Sequence, residues 1–162
     1  MPRKLPEVKK DQEYEQKIVD LARVTRVMAG GKRMRFRACV VIGNGKGKVS
    51  YGVAKGADVS IAINKAVNQA KKTIGKVKIV NDTIPHEVRI KFKAAKLMLK
   101  PAPPGTGVIA GGAVRIVMEL AGIKNVVSKM IGSKNKINNV KATFIALSQL
   151  IDQERLLERK NK

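Results

Sequence analysis

Two glycine-rich turns, Ala29-Gly30-Gly31-Lys32 and Gly43-Asn44-Gly45-Lys46-Gly47, constrain the fold of this chain more than any other feature. Each is too short to hold a crossover helix, so the segments they join must run antiparallel. Ala22–Met28 reads as the first strand, after an irregular lead-in over residues 1–20. From Met34 the alternation is strict: Met34, Phe36, Ala38, Val40 and Ile42 fall on one face, and Arg35 and Arg37 on the other. Val49, Tyr51 and Val53 define a third strand. The expectation is a half-buried antiparallel meander with a basic outer side.

Asp58 is placed to cap a helix running to about Ile74, with Val59, Ala62, Ile63, Ala66, Ala70 and Ile74 as its buried stripe and Gly75 as its stop. An extended segment over Lys76–Ile84 and a turn at Pro85-His86 lead to a second unit. There Val88, Ile90 and Phe92 oppose Arg89, Lys91 and Lys93, and Lys96–Lys100 returns as another strand. Ile109–Ala121 reads as a helix closed by Gly122, with Ala110, Val114, Val117 and Ala121 aligned. A strand over Asn125–Ile131 and a last helix with Val140, Phe144, Leu147 and Ile151 on one face complete two compact α+β units, joined near residues 76–86.

Charge narrows the partner. With 34 basic and 12 acidic residues among 162, the formal net charge is +22, which implies a polyanion, nucleic acid first and anionic membrane second. Leu21–Ala57 holds nine Lys or Arg and no acid, and Val88–Met118 holds six and no acid. These cations lie on strand-like segments and tight loops rather than along one helical face, which argues against a membrane-surface helix. No run is long enough to span a bilayer. Cys39, the sole cysteine, reads as a small strand side chain. His86, the sole histidine, reads as a turn residue or an RNA contact. No metal-ligand spacing, catalytic constellation or cofactor is indicated.

The run Pro101–Gly112, PAPPGTGVIAGG, has the look of a phosphate-gripping loop. As a dinucleotide fingerprint it lacks parallel strands with crossover helices, and no acid stands about twenty residues on. As a Walker loop it has Ala113 and Val114 where Lys and Ser or Thr belong. What survives is the general chemistry of exposed glycine N–H groups before a helix, with Thr106, Gly107 and Lys100 alongside. The same glycines could instead permit close packing of helix on sheet, and both can hold together. Ser133, Lys134 and Asn135 can likewise cap the last helix, hold phosphate, or do both.

Arg33-x-x-Phe36, the Gly-Asn-Gly-Lys-Gly-Lys turn at 43–48, Tyr51-Gly-Val-Ala-Lys-Gly56, the helix Ile61–Ala66 and above all the 101–112 loop resemble, in order and spacing, the bacterial form of the fifth small-subunit ribosomal protein family. The likeness covers about residues 15–150. It implies an α+β fold: an N-terminal double-stranded-RNA-binding-like three-stranded sheet with one helix, lacking that fold's usual first helix, plus a C-terminal ribosomal domain-two-type α+β sandwich. The divisions would be an extension at 1–14, domains at 15–78 and 79–151, and a charged tail at 152–162. It implies a non-enzymatic, cytoplasmic constituent of the small subunit that binds 16S rRNA. Such a protein neighbours the fourth and eighth small-subunit proteins, approaches mRNA where it enters, and supports assembly and decoding accuracy.

Candidate RNA-binding residues are Arg23, Arg26, Lys32, Arg33, Arg35, Arg37, Asn44, Lys46, Lys48, Lys55, Lys100, Thr106, Gly107, Ser133, Lys134 and Asn135. Ala29, Ser50 and Lys136 depart from the family pattern, where Lys, Gly and Pro are usual. Lys136 would exchange a rigid first helical residue for a charge able to bind phosphate. Two other classes remain to be separated by experiment: a free regulatory double-stranded-RNA binder, and a small nucleotide-dependent enzyme using the 105–112 loop.

Overall fold

The computed structural model describes residues 14–150. The first sheet has the order β1-β2-β3-β4, with β1 Glu15–Met28, β2 Gly31–Gly43, β3 Lys48–Gly56 and a two-residue β4, Gly75–Lys76, all antiparallel. β1 begins at Glu15 rather than at Ala22, and its register shifts between Ile18 and Asp20. Mixed polar residues there suggested an irregular lead-in, but pairing with the apolar inner half of β2 holds the segment extended. Residues 1–13 and 151–162, which include the expected extension, Ile151 and the charged tail, lie outside the described residues.

Helix α1, Val59–Lys72, starts at Asp58, whose carboxylate accepts from the Val59 amide and the Ser60 hydroxyl. Its buried residues are Ala62, Ala66 and Ala70, which pack on Ala38, Val40 and Ile42. The approach is so close that a Cβ on Gly52 would lie 2.0 Å from the Ala66 carbonyl oxygen. Ser50 donates to the Thr73 carbonyl at 3.0 Å, tying β3 to the end of α1.

In the second half, β5 Val88–Phe92, β6 Ala95–Pro101, β7 Val108–Ile109 and β8 Val126–Gly132 form a sheet of order β5-β6-β8-β7, in which only β7 to β8 is parallel. Helix α2 spans Gly112–Ala121 and α3 spans Lys136–Ser148. The expected helix start at Ile109 is therefore wrong. Val108 and Ile109 pair with Val126 and Val127, and the helix begins only after Gly111.

The two halves share one core. β2 is buried on both faces over Ala38–Ile42: Ala38, Val40 and Ile42 meet α1, while Cys39 and Val41 join Val49, Val114, Val117, Met118, Leu99 and Val140. The half-buried strand expected from alternation is therefore not what forms: β2 is exposed on both faces over Gly31–Arg35 and buried on both from Ala38 on, because neighbours cover only its inner half. Helix α2 buries Ala113, Val114, Val117, Met118, Leu120 and Ala121, and touches β1, β2 and β3 as well as α3 and β7, as a helix apolar nearly all round must. Tyr51 of β3 and Phe144 of α3 add a tilted ring contact at 4.7 Å.

The joint is a glycine turn against a helix end. The amides of Gly45 and Gly47 donate to the Leu120 and Ala121 carbonyls at 3.0 and 2.8 Å, satisfying acceptors that a helix C-terminus leaves open. Gly122 ends α2 at φ +87°, where a Cβ would lie 2.0 Å from the Gly45 carbonyl oxygen.

Gly122→Ala should therefore lose on the order of 2 kcal/mol or more of stability, combining left-handed strain with a backbone clash. Gly30 has φ +82° but open space around its Cβ position, so Gly30→Ala should lose only about 1 kcal/mol. Urea midpoints at unchanged m-value would measure the difference, and equal losses would show that the turn does not press on α2.

Burial, reinforced by the nearby Asp20 charge, pushes the Cys39 thiol from 9.0 up to about 11. Cys39 should resist thiol reagents in the native protein and react in urea. Because the unfolded thiol ionises first, its contribution to stability should hold below about pH 9 and decline between pH 9 and 11, readable as a falling urea midpoint.

Candidate nucleic-acid interface

Strand pairing gathers the candidate cations. Arg26 stands opposite Arg33, Val24 opposite Arg35, and Ala22 opposite Arg37, which in turn faces Lys55 across β3. Residues opposite one another in an antiparallel pair share a face. Arg26, Arg33, Arg35, Arg37 and Lys55 therefore line one side of the sheet, and four of them, all but Arg37, border a groove with Val24, Thr25 and Met28. This is the face that, further along β2 and β3, packs on the second half through Cys39, Val41 and Val49.

Arg23 and Lys32 go elsewhere. Arg23 pairs with Phe36 and rests against the Met34 sulfur, on the α1 side of the hairpin, and Lys32 shares that side by its place in β2. Arg37, at the inner end of the basic face, reaches Asp20 at 3.4 Å, and Asp20 also meets Lys136 of α3 at 3.7 Å. Lys136 thus serves as a tie between α3 and β1 as well as the first residue of its helix.

Several polar groups singled out from sequence are engaged within the chain. Asn44 Oδ1 accepts from the amides of Lys46 and Lys48, which fixes the turn and leaves the two lysine side chains as its outward charge. Gly105 and Gly107 donate their amides to Asn125 Oδ1 at 3.2 and 3.1 Å, and the Thr106 hydroxyl donates to the Pro103 carbonyl. The helix N-terminus lies beyond them at Gly112. The loop is thus held as scaffold by Asn125, a nearly buried residue that sequence reasoning passed over. In sequence Asn125 reads only as the first residue of a strand; the strand begins at Val126, which leaves Asn125 before it and against a loop distant in sequence.

Asn135 Oδ1 caps α3 by accepting from Ile137 and Asn138, and Ser133 Oγ accepts from the Asn135 amide. Lys134 remains exposed beside them. Lys100 sits 3.5 Å from Glu87, whose carboxyl is held below its usual range first by the hydrogen bond from Arg89 and then by the Lys100 charge.

The described acids share a pattern. Glu15, Asp20, Asp82, Glu87 and Glu119 each pair with a base, and Asp58 caps α1. None lines the groove formed by Arg26, Arg33, Arg35 and Lys55. Such an acid-free groove of mostly planar guanidinium groups is suited to bidentate contact with phosphate. Among the described residues no group of three or more His, Cys, Asp or Glu could hold a metal ion, and no helix is long and apolar enough to cross a membrane.

Comparison with known proteins agrees along nearly the whole chain. A family model described as ribosomal protein S5, N-terminal domain, matches residues 14–78, and one described as ribosomal protein S5, C-terminal domain, matches residues 90–160. The small ribosomal subunit protein uS5c of Emiliania huxleyi is 51% identical over 139 residues, covering 85% of this chain and 87% of the relative. Small ribosomal subunit protein uS5 of Chloroflexus aurantiacus is 48% identical over 149 residues, covering 92% and 84%, and that of Thermotoga maritima 46% over 145 residues, covering 90% and 82%. The order of turns, the antiparallel sheet under one helix and the α+β second half therefore have a shared origin, and the chain belongs to the ribosomal protein S5 family, whose members are structural proteins and not enzymes.

Proposed function

We propose that this protein is a structural constituent of the small ribosomal subunit that grips 16S rRNA with the β1–β2–β3 face, within a unit spanning residues 15–78. The unit at 79–151 holds that face in position. The observation that carries the reading is the cross-strand pairing of like charges, Arg26 with Arg33, in a groove that Arg35 and Lys55 also line and no described acid enters. Like charges directly opposite on neighbouring strands destabilise a free sheet, and a polyanion converts them from a cost into contacts. Arg23 and Lys32 extend the reach to the other side of the hairpin, so an RNA strand could be held on both sides of the tip. Lys46, Lys48, Lys100 and Lys134 supply charge, whereas Asn44, Thr106, Gly107, Ser133 and Asn135 act chiefly by fixing the loops that carry it.

The outer face of the second sheet supports protein neighbours in the same particle. Met98 and the half-exposed Ile109 and Ile131 stand there among Lys91, Lys96 and Lys129. We read those neighbours as the fourth and eighth small-subunit proteins, with the molecule close to incoming mRNA, as members of the family would be arranged. By fixing rRNA helices relative to one another, it would support assembly and decoding accuracy from a cytoplasmic particle.

Arg33→Ala with Arg35→Ala should weaken binding to a folded 16S rRNA fragment and flatten the dependence of log K on log salt by about 0.9 for each duplex phosphate no longer neutralised. Equilibrium binding across a salt series would measure it. Equally tight binding to an isolated duplex would favour a free double-stranded-RNA binder, and saturable binding of ATP or NAD would favour the enzyme reading.

A further inference from the structure

Helix α1 ends at Lys72, and the chain then turns back so that Gly75 and Lys76 add a fourth strand beside β3. The register places Lys76 directly opposite Lys48. In an antiparallel pair that puts their Cα atoms about 4.5–5.5 Å apart, a separation at which two cations oppose each other. The strands have little freedom to part. The Val77 amide donates to the Gly47 carbonyl at 2.7 Å, and Gly47 itself is bonded to the end of α2. Lys46, Gly47, Lys76, Val77, Lys78, Ile79 and Val80 line an open groove of about 540 Å³ beside this pair, with no carboxylate among its described lining residues.

We propose that this groove, on the edge of the first sheet away from β1, is a second RNA-phosphate site in which Lys46 and Lys76 engage the sugar-phosphate backbone, with Lys48 adding charge from its place opposite Lys76. The proposal rests on the rRNA-binding reading and adds a separate point of attachment. The β1–β2 face grips through arginine forks on a projecting hairpin. The groove grips through lysine point charges on the body of the molecule, where α2 holds the backbone still. Lysine ammonium groups on long stems suit a backbone followed without reading its bases. Two attachments on opposite edges of one rigid sheet would fix the orientation of the protein on its RNA, which a single patch leaves free to pivot.

Full-length protein with Lys76→Glu, and separately with Lys46→Gln and Lys76→Gln together, would be compared with the Arg33→Ala, Arg35→Ala variant on the same folded 16S rRNA fragment across a salt series. The expected result is weaker binding for each groove variant, with a salt slope smaller by about 0.9 for each phosphate released from a lysine. In the free protein Lys76→Glu should raise the melting temperature, because it replaces a repulsive cross-strand pair with an attractive one. That measurement also shows the variant to be folded. If the groove variants fold and bind with unchanged affinity and slope while the hairpin variant weakens, the groove is not an RNA site and the proposal is overturned. Unchanged RNA binding with impaired incorporation into the subunit would assign the groove to an acidic protein neighbour and overturn it equally. If neither set of variants weakens binding, the rRNA-binding reading itself fails.

Discussion

The seat of the α2 C-terminus on the Gly43–Gly47 turn is the contact on which the rest of the molecule depends. A helix leaves its last carbonyls without partners, and burying them unpaired would cost more than the packing returns. Here the amides of Gly45 and Gly47 reach the carbonyls of Leu120 and Ala121, and a Cβ on Gly43 would lie 2.2 Å from the Leu120 oxygen. No side chain can be tolerated between turn and helix. Because that seat fixes α2 across the inner half of the first sheet, Cys39 and Val41 are covered, the two halves share a core, and the basic outer half of the same face is aimed in one direction.

Local chemistry foretold most elements because it is written in neighbouring residues. The alternation from Met34, the Asp58 cap, the alanine stripe of α1 and the stop at Gly122 each need only a few positions to be recognised. The misreadings came where a distant partner decides the conformation. Glu15–Asp20 carries no strand pattern of its own and is extended because Val40–Gly43 lies beside it. Val108 and Ile109 continue the apolar run of α2 in sequence, yet they pair with Val126 and Val127, so the helix starts later than its composition suggests. The double burial of β2 was equally hidden, since alternation reports one face and says nothing of what covers the other.

The interface divides in the same way. Arginines at alternate positions of β2 announce a basic face, and pairing adds Arg26 and Lys55 to it while sending Arg23 to the opposite side. Polar residues in loops were harder to read. An Asn or Gly before a helix could hold a phosphate or satisfy the chain's own backbone, and both readings use the same atoms. In Asn44, Asn135, Gly105 and Gly107 those atoms meet internal partners, with Asn125 supplying the acceptor that the 105–107 amides would otherwise seek in an anion.

The placement of charge then separates two tasks. Carboxylates sit where elements must be tied: Asp20 between Arg37 and Lys136, Glu119 against Lys17, and Asp82 against Lys124. Exposed ion pairs of this kind contribute little energy individually, so their value is in orienting elements that the apolar core already holds together. Cations are left facing one another where the surface is open: Arg26 with Arg33, Lys48 with Lys76, and Lys91 with Lys96. A sequence tuned only for the stability of the isolated chain would exchange one member of each pair for an acid. Keeping the repulsion is consistent with a native state completed by a polyanion, in which the core and the glycine seat supply the rigidity and the partner supplies the missing charge.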